Sequence, residues 1–299
     1  MATRNVNRTV RFLEVKVIDR DEHPVPGKAD QIFDLVHTHC MAAPSPEHRS
    51  TRRNGLDYTG WASTADVVGK DFLIVGKKRS PVDNPSLTVG ADMPQPLVLK
   101  GLLIEQAYVA HLSHSPYIAV MGTSGSPRPA AIADWMTHVS RLGDANLEVR
   151  LLPVMRKDAR EKLRRAHGAL GFTVKVPVSV DGSTGVIKRV LEASRGMAGG
   201  EGDVTFSFSL GHHKKGRDSE SQLLDEVVRL SELPGAQKAT ARLLVDDCES
   251  TRTEVVDFIS DRLTARAVIQ CDDGTPLSHE EAFRALTQAI WDNREYLSS

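Results

Sequence analysis

Along Val204-Thr-Phe-Ser-Phe-Ser-Leu210 apolar and polar residues alternate, the period of a half-buried strand. From Ser219 to Leu230 the period changes: Leu223, Leu224, Val227, Val228 and Leu230 recur at helical spacing. Between the two lies Gly211-His212-His213-Lys214-Lys215-Gly216-Arg217, so the pattern predicts a compact cationic turn from strand to helix. Elsewhere it predicts a strand over 10–18 and an amphipathic helix over 29–41 on Ile32, Phe33, Val36 and Cys40. The polar, breaker-rich stretch 43–60 reads as a loop, 72–75 as a short strand, and the proline-rich segment 80–96 as a long loop or lid. Apolar stretches 97–112 and 117–121 read as adjacent strands. A helix on Ile132, Trp135, Met136, Val139 and Leu142 follows, with Ser126 as N-cap and Pro127 at its first position.

Further on come a strand over 147–155, a basic helix over 156–166, a strand over 172–180, a helix near 185–195 and a strand over 239–246. Residues 252–271 fit helix and strand alike, and Ser278-His-Glu-Glu281 has the spacing of a capping box that starts a last helix. Consecutive strands with interspersed helices, without strict βαβα alternation, imply an α+β fold with a large mixed or mostly antiparallel sheet. The proline-rich loop suggests two lobes, an N-terminal lobe over 1–96 and a C-terminal α+β lobe over 97–299.

Composition narrows the class. Apolar residues at 40% and charged residues at 26% of 299 describe a globular chain able to bury a large core. No apolar run approaches the roughly 20 residues of a membrane span, and the first residues carry no secretion-type apolar stretch. Cytoplasmic residence is the expectation. Cys40, Cys248 and Cys271 are far apart and form no CxxC pair, so neither a disulfide framework nor a cysteine zinc site is indicated. Net charge is −1, so any nucleic-acid surface must come from sorting charge. Lys77-Lys78-Arg79, the segment from Arg156 to Arg165 and the turn at 212–217 are basic, whereas Asp246-Asp247, Glu249, Asp272-Asp273 and Glu280-Glu281 make the C-terminal part acidic.

Catalytic motifs are weak. His37-Thr38-His39-Cys40 invites a metal reading, but on a helix His39 points away from His37 and Cys40, and Cys40 belongs to the apolar stripe. Gly122-Thr-Ser-Gly-Ser126 lacks the ending of a Walker loop and the framing of a nucleophile elbow. Adjacent carboxylates on a strand point to opposite faces. No catalytic residue, metal or cofactor is expected from these patterns. A metal-dependent nuclease-type defence effector stays open as an alternative, as does a protein-interaction subunit that touches no nucleic acid.

From about residue 66 to 230 the order of segments resembles the RexA family, the sensor proteins of the lambda phage exclusion system. The resemblance is carried by Asp71-Phe-Leu-Ile-Val-Gly-Lys-Lys78, Tyr117-Ile-Ala-Val-Met-Gly122 and Ile132-Ala-Asp-Trp-Met136. It continues through Leu147–Arg156, Gly171–Val176, Val204–Leu210 and Lys214-Lys215-Gly-Arg217, roughly half the chain. It implies a non-enzymatic, sequence-tolerant protein that binds double-stranded DNA as a homodimer in phage exclusion, a form of abortive infection. A membrane effector encoded separately would be its partner.

Residues and resemblance point to the same cations. Lys77, Lys78 and Arg79 end a strand; Arg156, Lys157, Arg160, Arg164 and Arg165 belong to one short helix, with 157, 160, 161 and 164 on one face. His213, Lys214, Lys215 and Arg217 occupy the turn. Each cluster singly is also what a solvated face looks like, so the expected DNA groove requires the three to meet. Aromatic residues at 5% favour contact with a duplex backbone over base stacking.

Overall fold

Phe72 to Val75 are buried without a break, as are Ile118 to Met121. Side chains of a strand alternate between faces, so such runs require a sheet covered on both sides. The computed structural model has this arrangement. It describes residues 3–43, 45–65, 70–80, 86–87, 95–96, 101–113, 115–178, 185–198, 202–210, 217–231, 236–247, 250–272 and 275–297.

The fold is α+β. In chain order come β1 (Thr3–Ile18), α1 (Ala29–Ala42), a 3-10 turn (Pro46–Arg49), β2 (Ser50–Arg53), β3 (Leu56–Ala65) and β4 (Lys70–Lys78). A short pair, β5 (Ser86–Leu87) with β6 (Gln95–Pro96), precedes β7 (Ile104–His111), β8 (Tyr117–Gly122), α2 (Pro129–Val139) and β9 (Glu148–Pro153). Then follow α3 (Lys157–Arg165), β10 (Ala166–Pro177), α4 (Gly185–Ala198), β11 (Asp203–Ser209), α5 (Arg217–Ser231), β12 (Lys238–Asp247) and β13 (Ser250–Asp257). The chain ends in β14 (Thr264–Asp272), α6 (His279–Asp292) and α7 (Arg294–Leu297).

Two compact units result: residues 1–151 with 264–299, and residues 152–263. The boundary expected near residue 96 falls inside the first unit. The reason is that β4 pairs with β7 across the proline-rich segment, from Phe72↔Ala110 to Lys78↔Ile104. The second unit is therefore an insertion between β9 and β14.

The sheet of the first unit runs β14-β1-β8-β7-β4-β3-β2, with β9 also paired to β1. Its neighbours along that path are antiparallel. On one face Leu13, Val15, Leu73, Val75, Val109 and Val120 pack with Ile32, Phe33 and Val36 of α1 and Trp135 and Met136 of α2. On the other, Phe283 of α6 stacks on Phe72 with centroids 4.1 Å apart and meets Tyr108 edge-on at 5.5 Å. The stretch 43–60, expected as a loop, instead holds β2 and the start of β3. Asn54 and Gly55, at φ 48° and 77°, make a two-residue hairpin turn that suits their left-handed conformation. Helix α2 starts two residues later than expected, with Arg128 at the N-cap and Pro129 opening the helix. Ser126 is buried and donates to the Gln106 carbonyl at 2.7 Å.

The second unit has a four-stranded antiparallel sheet in the order β11-β10-β12-β13. Ala239, Ala241, Leu243 and Val245 of β12 face a core with Phe172 and Val174 of β10, Leu191 of α4, and Leu223 and Val227 of α5. Apart from Leu244, the intervening positions of β10 and β12 between these residues are polar, as alternation predicts: Thr173 meets Ser207 at 2.8 Å and Lys175 meets Asp203 at 3.1 Å. The ambiguous stretch 252–271 contains parts of two strands, β13 and β14.

Two predictions follow from this packing. A Cβ at Gly60 would lie 1.9 Å from the Trp135 ring, and Trp135 is fully buried with Nε1 donating to the Arg49 carbonyl. Gly60→Ala should lower stability by about 2 kcal/mol, read from the urea midpoint. The second concerns acid. Burial raises the Asp257 carboxyl, but N–H groups of Ser260 and Ile259 and the Ser260 hydroxyl outweigh it and hold it below the ordinary range. The Ser278 hydroxyl and N–H lower Glu281 in the capping box of α6. Both folded values are depressed, so their stabilisation is complete above the unfolded values of about 4 and is lost as pH falls through the folded ones. Asp257→Asn combined with Glu281→Gln should flatten the decline of melting temperature below about pH 4.

Candidate nucleic-acid interface

Helix α3 is short and almost wholly charged. Ala159, 1% exposed, and Leu163, one turn later, supply its apolar contact with the core of the second unit. It packs on β12 and β13. The Arg156 N–H donates to the Asp261 carbonyl at 2.8 Å, which fixes where the helix begins. Lys162, Arg164 and Arg165 fill the last turn, where cations complement the helix dipole.

Its cations then divide. Lys162 lies 3.8 Å from Glu254, which also accepts from Arg252. Arg165 donates to the Asp246 carbonyl at 3.2 Å, and Arg160 is half-buried. Arg156, Lys157 and Arg164 are exposed and have no acidic partner among the described residues. The outward face expected for 157, 160, 161 and 164 thus forms with Lys157, Glu161 and Arg164, while Arg160 is partly withdrawn.

Helix α5 packs on β10 and β12 of the same sheet, against the same apolar cluster as α3. Near its start, a Cβ at Gly168 would lie 2.9 Å from the Glu220 side chain. Gly168 stands three residues after Arg165, and Glu220 three residues after Arg217. The basic end of α3 and the first turn of α5 therefore both meet the first residues of β10. His213, Lys214 and Lys215 lie outside the described residues, as does the side chain of Arg217, whose backbone opens α5.

Lys77, Lys78 and Arg79 belong to the first unit. Lys77 stands opposite Glu105 in the ladder, with Nζ 2.7 Å from the carboxylate, and Arg79 reaches the same group at 3.9 Å. The glycine-rich turn closes over this acid, since a Cβ at Gly125 would lie 2.3 Å from Glu105. Two of the three cations are thus committed to a carboxylate that lies far along the sequence. Lys78 is half-buried.

A further concentration of cations, unremarked in the sequence because 43–60 reads as a loop, sits on β2. Arg53 pairs with Asp134 at 2.5 Å and Arg52 with Asp57 at 3.8 Å. The run His48-Arg-Ser-Thr-Arg-Arg53 was its signal.

The candidate metal and nucleophile residues go to other uses. His37 faces Asp71 at 3.5 Å, and His39 meets the Val139 carbonyl at 2.8 Å. Burial pushes the Cys40 thiol up to about 11 against the pull of Arg49, which keeps it protonated. Glu280 pairs with Arg284, and Glu281 belongs to the capping box. Asp19, Asp21 and His23 come close in the turn after β1. There the Asp19 carboxylate accepts from the N–H groups of both other residues, at 2.9 Å each, and so closes the turn.

No helix among the described residues is long and apolar enough to cross a membrane. The chain matches no protein-family model, and no curated protein matches it.

The contrast between the clusters is measurable. Lys77→Ala leaves Glu105 without its nearest cation at a site where both side chains are 24% exposed, and should cost about 1 kcal/mol in a urea titration. Lys157→Ala, at an exposed site, should stay within about 0.5 kcal/mol of the parent.

Proposed function

We propose that this chain is a non-enzymatic protein that binds the backbone of double-stranded DNA, with α3 as its principal contact. In this reading it acts as a homodimer and as the sensor of a phage-exclusion system, partnered by a separately encoded membrane effector. The observation that carries the binding is the trio Arg156, Lys157 and Arg164, exposed and unanswered by acids among the described residues. The convergence of α3 and the first turn of α5 on the start of β10 supports a contact surface to which both helices contribute. Cations on a helix can meet successive phosphates without reading bases, and aromatic residues at 5% offer little for base stacking. The role in phage exclusion rests on the resemblance of the segments between about 66 and 230. Lys77 and Arg79, held by Glu105, contribute less than α3.

Titration of a fluorescent random-sequence duplex at several salt concentrations tests the reading. Affinity should fall with salt by about 0.9 log unit per log unit for each phosphate neutralised. Lys157→Glu with Arg164→Glu should reduce that slope by about 1.8 and leave the fold unchanged. Absence of binding at low salt would sink the proposal. Cleavage of the duplex on adding Mg²⁺ would replace it with a nuclease.

A further inference from the structure

The sheet of the first unit ends in two very different strands. At one edge β2 has four residues, among them Arg52 and Arg53, the short and charged form that discourages further pairing. At the other edge β14 has nine residues and contains no proline or glycine. Its register with β1 runs unbroken from Thr3↔Asp272 to Arg11↔Thr264. Because Thr9, Val10 and Arg11 also pair with β8, β8 and β14 flank β1 on opposite sides. Among the described residues no strand pairs with the outer side of β14. Val268 in its middle is 54% exposed. A long, regular edge of this kind is a template for another strand.

We propose that a second copy of the chain completes this edge, β14 pairing antiparallel with its counterpart about a two-fold axis at Ile269. This register sets Arg266 opposite Asp272 of the copy, twice by symmetry. Val268 then faces Gln270, Ala267 faces Cys271, and Ile269 faces itself, so apolar and polar faces both continue across the join. Arg266 and Asp272 are the only charged residues of β14 and both are exposed. A register centred on Arg266 would set two like charges opposite each other, which is destabilising. Arg266 Nε donates to Asn7 on β1 at 3.0 Å, which steadies the guanidinium on the exposed face of the strand. The isologous geometry is closed, as a two-fold dimer requires. The pairing deepens the dimer of the reading above and requires none of its DNA contacts.

Sedimentation of the full chain over the micromolar range tests it. The parent should be a dimer, and Arg266→Asp or Asp272→Arg alone should raise the dimer dissociation constant about tenfold or more through two like-charge contacts. The double variant, Arg266→Asp with Asp272→Arg, should restore the parent value. In a second readout, Val268→Cys with Gln270→Cys should form a disulfide-linked dimer on oxidation. A monomeric parent, single variants that dimerise like the parent, a double variant as weak as the singles, or no cross-link would each overturn the pairing. A monomer that still binds duplex removes this interface alone, whereas a swap-sensitive dimer indifferent to duplex removes the DNA reading alone.

Discussion

A short antiparallel ladder closes the second unit, and the position of the candidate surface depends on it. Leu263 N–H donates to the Val154 carbonyl at 2.7 Å, Arg156 N–H donates to the Asp261 carbonyl at 2.8 Å, and Met155 bridges to Arg262. Entry and exit of the unit are thereby fixed side by side. With Arg156 held in extended backbone, helix α3 must begin at Lys157. Ala159 and Leu163 then turn toward the core, and Lys157 and Arg164, on either side of that pair in the sequence, turn outward. The chemistry of α3 is read from its sequence, but its direction is set by two backbone hydrogen bonds.

Both units obey one rule of cover. The sheet of the first carries helices on each face, so its central strands hold unbroken apolar runs, Phe72–Val75 and Ile118–Met121. That of the second packs its core on one face, so its strands alternate. Val204 to Leu210 announced its arrangement through period alone, and Phe72 to Val75 did so through the absence of a period. Helices α1, α2, α5 and α6 were equally legible, since their buried residues stand three and four apart.

What the sequence concealed was non-local. The N-terminal half of β1 is polar, and it is strand because β14 pairs with it from more than 250 residues away. The expected boundary at residue 96 gave weight to prolines, yet the ladder between β4 and β7 holds the chain together across them. Lys77 looked displayed because its partner Glu105 is adjacent only in the sheet. Asn54-Gly55 was the exception, a local hairpin signal overlooked among the breakers of a presumed loop.

The insertion has a consequence for ancestry. Val154 and Leu263 are bonded neighbours across one strand spacing, about 5 Å, so deleting everything between them leaves the host a gap that a tight turn can close. The β14 strand and α6 would still find their partners in β1 and Phe72. A lineage could therefore acquire, exchange or shed the charged module by recombination at a single point of the host, and proteins sharing the host architecture need not share what it carries.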